Sequence, residues 1–293
     1  MATSCCRSSC KVVQCSTLWL AALGASCAGS APPSDVPTEP TVLPGETPVT
    51  PAPGEAPARW APATIASFEI FQFESAAEFA RELRPVEVVT LELDEIEAAG
   101  GRAISDAAHA QGTRVICYTS AGYEDWRDDA NRFPADARGS GICRDDACRS
   151  TWPGEAWGDI RRASLQAFLG TRADRAVAVG CDGIEFDNMD QAFNATGLNI
   201  SVDENLEAAL KLAELGHERG LAVLAKNTGE LAARLAPVFD GVFVEECEAL
   251  GECDLYLPYR GKLVAMVEYD AGCRARDWAV CNEQDDYFDE DGR

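Results

Sequence analysis

The stretch GCDGIEFDNMD, residues 180–190, carries four carboxylates within nine residues: Asp182, Glu185, Asp187 and Asp190. Glu185 and Asp187 alternate with Ile184 and Phe186. Side chains two apart on a strand share a face, so a strand here aims two acids one way and two apolar groups the other. Such a strand fits a sheet whose outer side packs on helices and whose end opens to water. Asp182 and Asp190, at the rims, read as loop residues.

Outward from this segment, strand-like and helix-like runs alternate. The strand-like runs are SFEIFQ (67–72), VEVVTLEL (86–93), TRVICYTS (113–120), GIEFD (183–187), LAVLAKN (221–227), GVFVEE (241–246) and KLVAMVEYD (262–270). Repeated βα units imply a parallel sheet with helical crossovers. No Gly-rich loop follows the first run, so a dinucleotide-binding sheet lacks its main signal. Polar residues gather at the run ends: Gln72, Glu92, Asp94, Tyr118, Asp187, Lys226, Glu245 and Glu268. In a (β/α)8 TIM-like barrel those ends converge on one mouth, and this is the predicted fold. The eighth strand is the uncertain one, with DWAVC (277–281) as its sole candidate. Two units resemble each other: AHAQGTRVICY and GHERGLAVLAKN each run helix, His, two residues, Gly, strand.

The flanks differ in composition. Residues 1–29 hold Arg7 and Lys11, a short apolar run and small residues, the pattern of a signal peptide or a lipoprotein leader with Cys27 as the lipid-bearing residue. Residues 30–59 read as a Pro-rich disordered linker, since ten of the fifteen prolines lie between Ser30 and Pro62. The barrel domain is expected over 60–281 and an acidic tail over 282–293. A net charge of −24 argues against nucleic acid and would attract a polycation.

Of thirteen cysteines, five fall in the leader. Behind a signal peptide the rest suit disulfides. Cys143 with Cys148, Cys247 with Cys253, and Cys273 with Cys281 are short-loop candidates. Cys117 and Cys181, in or beside strands, are expected to be buried free thiols.

The chain has two histidines, His109 and His217, each near a helix C-terminus before a glycine, where a cation has a structural use. That leaves no Ser-His-Asp scheme, and no P-loop is present. Carboxylates remain. Two at a barrel mouth suit glycoside hydrolysis, one protonating the leaving oxygen and the other attacking the sugar or activating water. Glu185, Asp187, Asn188 and Asp190 as a calcium loop form the competing reading. Tyr123, Trp126, Trp152 and Trp157, on the long segment after the third strand, offer rings for sugar faces.

The segments VICYTSAGYEDWRDDA (115–130), WPGEAWGDIR (152–161), GCDGIEFDNMD (180–190), AKNTG (225–229), VEECE (244–248) and VEY (267–269), in this order, resemble glycoside hydrolase family 114, from about Trp60 to Tyr269. The resemblance implies a TIM barrel with endo-α-1,4-polygalactosaminidase activity. It implies Asp187 and Glu245 as the catalytic pair, with Asp187 as nucleophile and Glu245 as acid/base or the reverse. The expected substrate-binding set is Gln72, Glu92, Asp94, Tyr118, Trp157, Glu185, Asn188, Lys226, Asn227, Glu268 and Tyr269, with no metal and no cofactor. Asp159 and Arg161 are expected to brace the loop. The chain departs from the family at Val244, where an Asn is usual, and in its short acidic C-terminal region. The expected partner is a cationic amino-sugar polysaccharide, met by a monomer that is secreted or held at the cell surface, touching membrane only through a lipid on Cys27. A non-catalytic amino-sugar-binding module, and a hydrolase of another amino-sugar polymer such as chitosan, are the competing readings.

Overall fold

The computed structural model describes residues 59–63, 65, 67–70, 73, 75–144, 148–269 and 272–284. The expected leader, linker, lipid-bearing Cys27 and binding residue Gln72 lie outside these residues. Among the described residues eleven strands run in chain order: β1 Phe68–Ile70, β2 Val88–Glu92, β3 Arg114–Ser120, β4 Tyr123–Glu124, β5 Arg138–Cys143, β6 Thr151–Gly158, β7 Gly183–Asp187, β8 Ala222–Lys226, β9 Gly241–Glu245, β10 Leu263–Glu268 and β11 Val280–Glu283. Eight form one sheet in the order β1-β2-β3-β7-β8-β9-β10-β11, every neighbouring pair parallel. The sheet curls into a nearly closed (β/α)8 barrel. The Asn282 amide nitrogen reaches the Phe68 carbonyl at 3.4 Å across the seam between β11 and β1.

The predicted alternation sorts the side chains into two apolar sets. Val115, Cys117, Ile184, Phe186, Val223, Val242 and Val244 face outward into a core shared with the helices. Phe68, Val88, Ile116, Leu224, Phe243, Leu263 and Val267 fill the barrel itself, with the Phe68 and Phe243 rings 5.9 Å apart edge to face. The barrel is therefore plugged below, and its polar residues crowd the C-terminal ends of the strands.

The long excursion after β3 is a structure of its own. β4, β6 and β5 form a three-stranded antiparallel sheet in that order before the helix Ala163–Ala178 returns the chain to β7. Gly158 ends β6 where a side chain would not fit: an added Cβ would lie 2.2 Å from the Ala121 carbonyl oxygen.

Two expectations are corrected. The eighth strand is Val280–Glu283, not 277–281, so Asn282 and Glu283 belong to the barrel rather than to the acidic tail. β11 has no apolar alternation to announce it; it forms because β10 offers an unpaired edge, and the Cys273–Cys281 disulfide ties its start. The second correction concerns Cys117 and Cys181, which are disulfide-bonded to each other rather than free. Their sequence separation of 64 hides the contact, which exists because β3 pairs with β7 across the excursion. The three short-loop pairs, Cys143–Cys148, Cys247–Cys253 and Cys273–Cys281, are bonded.

Candidate active site

The four carboxylates of the opening stretch are spread along the barrel. Each residue of a strand advances about 3.3 Å, so Asp182 and Asp187 stand roughly 16 Å apart. Asp182 lies at the base, where it accepts hydrogen bonds from the Val115 amide (2.9 Å) and Arg114 (2.6 Å) and pairs with His109 Nε2 (2.7 Å). Glu185 is inside the barrel, Asp187 at the mouth, and Asp190 on the loop beyond, held by the Asn194 amide at 2.8 Å.

Lys226, at the end of β8, organises the mouth. It is buried, and its Nζ lies 3.4 Å from Glu185, 3.5 Å from Asp187 and 3.3 Å from Glu245. Inward positions of β7, β8 and β9 thus converge on one ammonium. The three carboxylates hold the Lys226 pKa well above its ordinary value against the opposing effect of burial. Of the four residues of the calcium reading, Glu185 and Asp187 thus have a cation of the protein beside them, while the Asn188 side chain bonds Ser120 and Asp190 bonds Asn194. Among the described residues, the one set with metal-ligand spacing is Cys247, Cys253 and Glu268, and its two cysteines are joined in a disulfide.

Asp187 and Glu245 are each held from two further sides. Tyr118 donates its hydroxyl to Asp187 Oδ2 (2.8 Å), and the Asn188 amide donates to Oδ1 (2.7 Å). Tyr269 donates to Glu245 Oε1 (2.8 Å), and the Asn227 side chain donates to Oε2 (3.2 Å). The residues that follow the strand ends, Asn188, Asn227 and Glu246, have φ of 58°, 46° and 57°. Asn tolerates this left-handed conformation well; a Glu there is less common. The turns end the strands abruptly and leave the preceding polar side chains at the rim.

Glu185 differs from its neighbours. It is 1 % exposed, and neither oxygen has a hydrogen bond; its contact with Lys226 is electrostatic. Burial first, and then the charges of Asp187 and Glu245, push its pKa up to about 8 against the pull of Lys226. Asp190 is pushed up to about 7, by burial and then by Asp187.

Not every expected residue joins this group. Glu268 is fully buried on the outer side of β10, where it accepts hydrogen bonds from the amides of Glu248 (2.8 Å) and Ala249 (3.3 Å). It caps the short helix Cys247–Leu250, because strand alternation places it with Val264 and Met266 rather than with the inward Val267. Glu92 and Asp94 stand near the mouth but are clasped by arginines. Arg127 reaches Glu92 at 2.5 and 3.0 Å, Asp94 at 3.5 Å, and Glu124 as well; Arg175 bonds Asp94 and Glu97. Trp157 is buried on β6. Asp159 bonds Arg161 (2.8 Å) and Arg162 (3.2 Å), and so braces the end of the excursion.

Arg127, Glu124 and Glu155 are the residues that sequence reasoning missed. Glu155 is half-buried, and its pKa is pushed up to about 8 by burial and then by Glu124 and Asp187. The signal was present in the two-residue alternation of Glu155 and Trp157 within WPGEAWG.

A family model described as glycoside-hydrolase family GH114 matches residues 49–290. The crystal structure of Aspergillus fumigatus Ega3 in complex with galactosamine is similar, with a TM-score of 0.63 and 27% identity over 76% of this chain and 85% of that one. The glycoside hydrolase domain of PelA from Pseudomonas aeruginosa shares the fold, with a TM-score of 0.52 and 19% identity over 71% of this chain and 84% of its own. No curated protein matches the chain in sequence. A match to that family model over most of the chain leads to one assignment: the chain belongs to glycoside hydrolase family GH114.

Proposed function

We propose that the chain is an endo-acting hydrolase of α-1,4-linked, galactosamine-containing polysaccharide that works with retention of configuration, with Asp187 and Glu245 as its catalytic pair. The observation that carries the reading is Lys226: one nitrogen lies within 3.5 Å of both carboxylates. That caps the oxygens it touches at about 7 Å apart, which fits the roughly 5–5.5 Å of retaining enzymes and lies below most of the range for inverting ones. Galactosamine in the Ega3 complex supports the sugar class. Four disulfides support an oxidising, extracellular setting reached through the N-terminal leader.

Asp187 serves as nucleophile. Its two donors and Lys226 hold the carboxylate oriented for attack on the anomeric carbon. Glu245, at 28% side-chain exposure against 21% for Asp187, is the acid/base. It gives its proton to the leaving glycosidic oxygen as Asp187 forms the glycosyl–enzyme bond. It then takes a proton from the water that displaces Asp187. Tyr118, Asn188, Asn227 and Tyr269 position the pair, and Lys226 offsets the charge of the two acids.

NMR of the first products from an α-1,4-galactosamine oligomer tests the reading. Newly formed α-anomers that mutarotate later are expected. Initial β-anomers would overturn retention, and no cleavage of galactosamine polymers beside cleavage of chitosan would overturn the substrate.

A further inference from the structure

The base of the barrel carries a cavity that the chemistry proposed for the mouth does not use. It encloses about 340 Å³. Arg102 and His109 of the helix Arg102–His109, Arg114 at the start of β3, and Arg219 just beyond the helix Val202–His217 line it together with Asp182. Three arginines thus share one wall with a single aspartate, in a chain of 25 basic and 49 acidic residues. That aspartate is already committed to the Val115 amide, Arg114 and His109.

The three guanidinium groups are held differently. Arg114 donates to Asp182 at 2.6 Å. Arg219 donates to Asp174 at 2.7 Å and to the Leu215 carbonyl at 2.9 Å. Arg102 has one partner among the described residues, Asp106 one helical turn on, and at 3.6 Å it is beyond hydrogen-bond reach. The Arg102 guanidinium instead lies against the turn at Gly180, where φ is 85° and an added Cβ would stand 3.3 Å from its Nη1. Asp106 and Asp174 do not line the cavity. Two cations are therefore fixed in the wall, and the third keeps its donors open to a ligand. Like charges around one cavity repel, and an anion between them offsets that repulsion.

We infer that this cavity is a binding site for a phosphate group, held by Arg102, Arg114 and Arg219. Guanidinium groups match phosphate oxygens in pairs. A phosphate group carries about −1.5 to −2 charge at pH 7, which answers three arginines set against one aspartate. The rest of the wall is apolar: Trp60, packed on the residues inside the barrel, lines it with Val177 and Leu221. That face would take the organic part of a phosphate ester, whereas the free anion would use the arginines alone. The site is independent of the function proposed above, since Asp182 in its wall stands roughly 16 Å from Asp187.

Calorimetric titration of the full chain with inorganic phosphate and with phenyl phosphate, against sodium chloride at matched ionic strength, tests the inference. Wild type is expected to bind at one site per chain. Tighter binding of phenyl phosphate would assign an ester as the ligand, and equal or weaker binding would assign the free anion; both support the site. Arg102→Gln is expected to weaken binding roughly 10- to 100-fold, the span of a charge-assisted hydrogen bond. Phosphate should raise the melting temperature of wild type and leave that of Arg102→Gln unmoved. In chloride the two should melt alike, because an exposed ion pair contributes little. A clear fall in chloride would make Arg102 a structural brace and overturn the inference. Wild type that binds no phosphate beyond the chloride control would overturn it, as would Arg102→Gln that binds like wild type. Arg234→Gln, which removes an exposed arginine paired with Asp203 outside this cavity, should bind phosphate as wild type does. An equal loss there would reduce the effect to general charge and sink the site.

Discussion

The base and the mouth of this barrel hold the same kind of side chain in opposite circumstances. At the base, Asp240 accepts from the Val223 amide (2.9 Å), pairs with His217 (2.8 Å) and meets Arg59 (3.1 Å). Asp182 does the same with Val115, His109 and Arg114. Each latch joins a His at a helix end, the strand that follows it, and the Asp before the neighbouring strand. The duplicated His-x-x-Gly units of the sequence are thus two copies of one device. At the mouth, Glu185, Asp187 and Glu245 share a single ammonium. Burial and hydrogen bonding from His217 act on Asp240 in opposite senses, with the net effect a lowered pKa. Glu185, with no hydrogen bond, is raised to about 8. An acid with a full set of partners is a brace, and an acid that must share them is available for chemistry.

The largest expected effect tests the mouth. Asp187→Asn and Glu245→Gln should each lower turnover by about 10³-fold or more with the fold retained, as loss of a reacting carboxylate does. Steady-state rates beside circular dichroism check it; near-normal turnover in either variant would end the pairing proposed here.

The base should respond in the other measure. Asp240→Ala or Asp182→Ala strands a strand amide and a histidine, at a cost of about 1–3 kcal/mol in each case. Denaturant unfolding would show this, while kcat at a permissive temperature should stay close to wild type. A variant that lost activity without losing stability would erase the contrast between the two ends.

Stability against pH sharpens the comparison. Folded Glu185 keeps its proton to about pH 8, against an ordinary value of 4.5, so the folded chain binds more protons between those values. Its contribution is therefore complete at low pH and lost as pH rises through that window. Glu95 and Glu124, raised to about 7, act in the same sense. Asp240 is lowered from 3.8 and contributes stability that is lost as pH falls below that value. Melting temperature should peak at about pH 4–5, and Glu185→Gln should flatten the alkaline limb. A limb equally steep in the variant would place the tilt elsewhere.

Asp190→Asn should matter least. Asp190 senses Asp187 without touching Lys226, so its loss should change turnover only a few-fold and move the pH profile slightly.

Much of this could be read from residues in order. GIEFD fixed which side chains of β7 face in, because strand alternation is local and Ile184 and Phe186 had to find apolar company. The same rule applied to KLVAMVEYD puts Glu268 outside and Tyr269 inside, although a position at a strand end alone predicts Glu268 at the mouth. Proximity to a strand end is one coordinate; the face is the other.

The sequence by itself determined the alternating βα order, the apolar faces and the carboxylates that end the strands, since each follows from spacing over a few residues. Only the tertiary structure decided which of those acids has company. Cys117 meets Cys181, Arg127 takes Glu92 and Glu124, and Lys226 meets Asp187 and Glu245, because parallel pairing brings together strand ends that the chain holds tens of residues apart. The partners of a charge, and with them its protonation and its use, are set across strands, where no local pattern records them.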